Sequence, residues 1–227
     1  KAANAALEYK RMDEKSENPM PAENLINYGE SILMSGNPLE AVQVLNSVAG
    51  ASKNLRYYFL TATAYQDMGR WEKANNAYKN AIEAPIQTSE ESMRYLSYIG
   101  LAEVCTKQEL YETALTTLDK LVDSEEFRKS KGKLDPAYPR YSVYEDNHLI
   151  DDAQYLRGLI RIKMGDISEG LEELKKTEKK FFNSQCGKIV THNIQELFSL
   201  LEAGKRAELV AKAERMLNDY ISSKEWL

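Results

Sequence analysis

Two histidines and two cysteines are all that this 227-residue chain offers to nucleophilic or soft-metal chemistry. His148 stands in the run Glu145-Asp146-Asn147-His148, with Asp151 and Asp152 close behind. Such a run could ligate a cation, but ligands must converge in space. Acids at a helix start are already accounted for by capping and by the positive end of the helix dipole. Cys186 and His192 lie six residues apart with no third group to orient a base, so a nucleophile–base pair rests on residue type alone. No phosphate-binding glycine loop and no HExxH helix occurs. The expectation is a chain that is not an enzyme, with no catalytic, cofactor-binding or metal-ligating residue.

One further segment has a chemical character of its own. Residues 128–144 carry Arg128, Lys129, Lys131 and Lys133, then Tyr138, Tyr141 and Tyr144. Aromatics among cations can stack on single-stranded nucleic acid. The chain as a whole carries a net charge of −5, however, and phosphate contacts require a basic surface. A solvated loop whose tyrosines pack back on neighbouring helices is favoured, and an acidic partner surface is a better use of the lysines than nucleic acid.

The elements that must position these residues are helical. Hydrophobic residues make up 43% of the chain and charged residues 29%, enough apolar content for a buried core. No apolar run reaches the roughly 18–20 residues that span a bilayer. Two distant cysteines form no disulfide framework, and Cys105 falls on the packing face of a predicted helix. The sequence opens at Lys1 without Met and shows no signal-peptide pattern, so a piece of a longer product is expected, with any targeting segment outside it. Periplasm, cell envelope and cytoplasm all stay open.

The stretch 55–85 is the most informative. Tyr58, Thr61, Ala62 and Tyr65 share one helix face at spacings of three and four. Gly69-Arg70-Trp71 interrupts them, then Ala74, Tyr78 and Ala81 form a second stripe that Pro85 stops. Two short helices and a glycine turn make an αα-hairpin, with Ala62 and Ala74 placed where the helices cross. Tyr58, Ala62, Tyr65, Gly69, Trp71, Ala74, Tyr78 and Ala81 stand in the order and types of a known repeat, with Pro85 one residue early. The stretch resembles the tetratricopeptide repeat (TPR). The resemblance implies an all-α chain of about five hairpins wound as a right-handed α–α superhelix.

The rest of the chain divides accordingly. Residues 1–21 read as a partial repeat or capping helix, 22–127 as three TPR-like repeats, 128–150 as an insertion loop, and 151–227 as degenerate repeats ending in a capping helix. Gly36 and Gly69 lie 33 residues apart, close to the period of the family. The third turn has Glu109 in place of glycine, which leaves its conformation open. In the fourth repeat Gln154, Arg161 and Gly170 replace apolar or Ala positions. The phrasing from Asp151 to Phe181-Phe182-Asn183-Ser184 resembles repeats of bacterial cell-envelope TPR proteins, in which a DDA-start repeat ends in a YPNS-like turn.

In the TPR family the first helix of each repeat lines a concave groove. The resemblance carries that role onto Ile26, Glu30, Arg56, Phe59, Thr63, Gln66, Ile99, Glu103 and Tyr155, with Glu23, Leu33, Leu96, Asp152 and Leu159 beside them. For Ile26, Phe59, Ile99 and Tyr155 the competing reading is burial against neighbouring hairpins. A TPR subclass clamps C-terminal carboxylates with Lys, Asn and Arg; here Ile26, Glu30, Leu96 and Gly100 stand at those positions, so no clamp is expected. The expected function is a protein-interaction scaffold that binds a polypeptide segment, in a sharper version a subunit of a cell-envelope assembly or secretion complex. The alternative is a regulatory or recruiting domain of a larger enzyme or signalling protein. Self-association through a terminal hairpin is a third expectation.

Overall fold

Stripes of apolar residues at three- and four-residue spacing become helices throughout the computed structural model, which describes residues 2–15, 19–85, 91–124, 149–180 and 185–223. The helices are α1 (Ala2–Lys15), α2 (Ala22–Met34), α3 (Pro38–Leu45), α4 (Leu55–Asp67), α5 (Trp71–Glu83), α6 (Glu91–Lys107), α7 (Tyr111–Asp123), α8 (Leu149–Met164), α9 (Ile167–Lys180), α10 (Gln185–Glu202) and α11 (Arg206–Ser223). A single 3-10 turn spans Gly50–Ser52, and no strand occurs among the described residues. The fold is all-α, as the periodicity predicts. The segment 128–148, which holds the basic and tyrosine-rich stretch and His148, lies outside the described residues.

The chain forms two compact units, one ending at Gln108 and the other beginning at Glu109. In the first, α1 packs on α2, and the hairpins α2–α3 and α4–α5 stack through α3 against α4 and α5 against α6. In the second, α7 packs on α8, the hairpin α8–α9 stacks on α10, and α11 reaches both α10 and α8. Each hairpin hides an apolar flank that it could not hide alone.

Local signals explain where the helices begin and end. Asn54 caps α4, its side-chain oxygen accepting from the Tyr57 N–H at 2.9 Å, a contact that contributes about 1 kcal/mol. Pro38 occupies the first turn of α3, where the missing N–H costs nothing. The helix stops at Leu45. Asn46 and Ser47 follow it, and Val48 is buried from the connecting turn. Ala41, Ala62, Ala74 and Ala102 are fully buried where helices approach.

Four hairpin turns are closed by glycines with positive φ, Gly36, Gly69, Gly165 and Gly204. Glu109 adopts the same left-handed conformation with φ 60°, which answers the question its turn posed. A side chain there crowds the backbone, whereas glycine does not. Glu109→Gly is therefore expected to raise stability by about 0.5–1 kcal/mol, read as a higher urea midpoint. An unchanged or lower midpoint would count against a strained turn.

Candidate polypeptide-binding faces

The groove positions inferred from the repeat pattern sit on α2, α4, α6 and α8. Seven of the nine (Ile26, Phe59, Thr63, Gln66, Ile99, Glu103 and Tyr155) are at most 7% exposed. These seven are buried and present no open surface. The cause lies in α4, α6 and α8 themselves, which bury residues on all sides and offer no broad polar face to water. The burial reading holds for Ile26, Phe59, Ile99 and Tyr155. Glu30 and Arg56 alone of the nine keep partial access.

Arg56 opens α4 and reaches back to α2, donating to Glu23 at 2.9 Å and to Glu30. Its side chain is 21% exposed, Glu23 63% and Glu30 20%. A pair this accessible is screened and contributes little stability, but it leaves charged groups within reach of a partner. Deeper in the unit the polar groups are joined. The Tyr78 hydroxyl donates to Gln66 Oε1 at 2.8 Å, and Gln66 Nε2 donates to Glu103 Oε2 at 3.1 Å. This chain of bonds ties α5 to α4 and α4 to α6. Asn75 adds a second tie, donating to Gln108 Oε1 at 3.3 Å and to Cys105 Sγ at 3.4 Å. A buried carboxylate such as Glu103 persists only with donors near it, so the network fixes how α4 and α6 register.

In the second unit, Asp151 and Asp152 lie in the first turn of α8, the helix start at which acids offset the dipole. Both are also buried. Asp152 Oδ1 accepts from the Tyr220 hydroxyl of α11 and from Cys186 Sγ of α10 at 3.6 Å. The Tyr155 ring lies 5.2 Å from the Tyr220 ring, and its hydroxyl makes no hydrogen bond among the described residues. Burial, with Cys186 and Asp219 nearby, pushes the Tyr155 phenol far above its ordinary range. Arg157 bridges Asp119 at 3.2 Å and Glu173 at 2.9 Å. Burial raises the Glu173 carboxyl against the pull of Arg157 and Arg161.

Of the residues singled out for chemistry, Cys186 and His192 do not come together, and His148 lies outside the described residues. Cys186 is buried, whereas His192 is exposed further along α10. Both cysteines are free thiols. No group of three or more His, Cys, Asp or Glu among the described residues is placed to hold a metal ion. No helix among them is long and apolar enough to cross a membrane. Tyr78 and Tyr220 organise these faces, and neither follows from groove positions. Tyr78 is visible as a repeat aromatic, while the pairing of Tyr220 with Asp152 joins residues 68 positions apart and leaves no local pattern.

Comparison with known proteins agrees with this architecture. Residues 56–84 match the tetratricopeptide repeat family. They span α4, the Gly69 turn and α5. No curated protein matches the sequence. A solved structure described as "MamA RS-1 ArsTM double mutant" superposes with a TM-score of 0.53 at 19% identity, over 86% of this chain and 95% of that one. At that identity the likeness is one of fold.

Proposed function

We propose that this chain is a non-enzymatic scaffold that binds a polypeptide segment along the first helices of its hairpins. The tetratricopeptide repeat at 56–84 and the stacked hairpins around it support this reading. The observation that carries it is the charged cluster of Arg56, Glu23 and Glu30. It spans α2 and α4 on the face that repeats of this kind use, and it stays accessible while the apolar positions beside it are buried. Polar groups at the edge of an apolar face set orientation and partner choice more than raw affinity.

The test is a selection of peptides from a displayed library against the intact chain, followed by calorimetry. Arg56→Met is expected to weaken the selected peptides about tenfold, since it removes the charge and keeps the stem. Lys79→Glu, on the exposed side of α5, is expected to leave them unchanged. The opposite ranking would move the binding surface away from the first helices. The narrower placement, a subunit of a cell-envelope assembly or secretion complex, rests on the phrasing of residues 151–184. Fractionation of the source cells tests it, and recovery without any envelope fraction would remove it.

A further inference from the structure

Asp152, Tyr155, Leu159 and Lys163 recur along α8 at spacings of three and four, so they form one stripe down the helix. The terminal helix α11 meets this stripe at both ends. At one end Tyr220 donates its hydroxyl to Asp152 and sets its ring against Tyr155. At the other, Lys163 donates to Glu214 at 2.7 Å, and this bond is the main reason the Lys163 ammonium is held above its ordinary range. Helix α11 buries Leu209, Ala213, Met216, Leu217 and Tyr220 at helical spacing, with Met216 and Leu217 between the two polar contacts, while Glu208, Ala211, Arg215, Asn218 and Asp219 lie on the exposed side. Among the described residues α11 packs more extensively on α8 than on α10, its neighbour across the short turn. Its link to α10 is that turn, the Lys212–Glu196 pair at 2.6 Å and a smaller packing surface.

An amphipathic helix laid on an apolar stripe, with a polar contact fixing each end, is the helix-in-groove mode of recognition. We propose that the α8 stripe is a helix-binding face held in cis by α11, and that a partner's amphipathic helix of the same chemistry takes its place. That helix carries a carboxylate for Lys163 and, six residues on, a phenol for Asp152 and Tyr155, with apolar residues between. The proposal rests on the reading that first helices of the hairpins receive polypeptide, and it names the kind of polypeptide for this unit.

Two measurements test it. The first is native-state hydrogen exchange on the wild-type chain. The α11 amides are expected to exchange through a local opening at least about 100-fold more often than those of α8. Equal protection would make α11 part of the core and overturn the proposal. The second is fluorescence anisotropy with a labelled peptide copying residues 206–223. The full chain carrying Tyr220→Ala and Glu214→Gln, which loosens α11, is expected to bind that peptide at least about tenfold more tightly than wild type. Adding Asp152→Ala and Lys163→Ala is expected to abolish the gain. Equal binding by wild type and the loosened variant, or a gain that survives the last two changes, would overturn it. A concentration-dependent dimer of the wild type formed by exchange of α11 would replace the partner with a second copy of this chain. The Arg56 experiment lies in the other unit, so its outcome separates failure of this proposal from failure of the scaffold reading.

Discussion

Changing Phe59 and Ile99 to aspartate is expected to unfold the first unit rather than to empty a binding face. Both side chains are at most 1% exposed, and the Phe59 ring packs 6.4 Å from that of Tyr78. Removing such a side chain costs about 2–5 kcal/mol, and an unpaired carboxyl in its place adds desolvation. The two changes together exceed the 5–15 kcal/mol that typically holds a domain folded, or consume most of it. Circular dichroism should show loss of a cooperative transition for residues up to Gln108. Phe59→Leu, which keeps apolar volume, should cost less than about 1.5 kcal/mol and serve as the control. A folded double aspartate variant would show that these positions open to water more readily than their burial implies.

The second large effect is expected at a position that looks like a defect in the repeat. Gly170 departs from the repeat pattern, but the structure shows why no side chain fits. A Cβ there would lie 2.5 Å from the Gly158 carbonyl oxygen and 2.6 Å from Ile162 Cγ1. One obstacle is backbone, which cannot turn aside. Gly158 faces the same crossing, its added Cβ meeting Leu174 at 2.9 Å and the Gly170 carbonyl at 3.0 Å. Helices α8 and α9 thus touch backbone to backbone. Gly170→Val should cost about 3 kcal/mol or more, and Gly158→Ala less, because the leucine there can shift and its carbonyl contact is longer, 3.0 Å against 2.5 Å. Urea titration should rank the variants in that order. A tolerated valine would mean that α8 and α9 slide apart at little cost.

The fold is largely legible in the sequence, and the binding face is not. Tyr58, Ala62, Tyr65, Gly69, Trp71, Ala74 and Tyr78 encode a hairpin through short-range spacing, and residues 55–85 fold as that spacing dictates. The turn glycines are equally local, each answering a left-handed backbone. Groove exposure depends instead on what covers a helix, which the helix's own sequence does not record. In α6 apolar residues run all round, so the packing face that holds Cys105 has no polar face opposite it to mark a solvent side. Asp152 reads as a capping acid because its partners, Cys186 and Tyr220, are 34 and 68 residues away. Gly170 is ambiguous for the same reason. Only the neighbouring helix tells a degenerate repeat from a close crossing.

The placement of the two cysteines has a practical consequence. Cys105 lies in α6 of the first unit and Cys186 in α10 of the second, and the chain holds no other. Each is a sealed thiol, and burial pushes the Cys105 thiol up despite the nearby Lys79. Alkylation needs an accessible thiolate, so reagent must wait until the surrounding helices part. Each unit therefore carries its own sulfhydryl clock. Peptide mapping after timed labelling would read how often each breathes, without adding a probe to either.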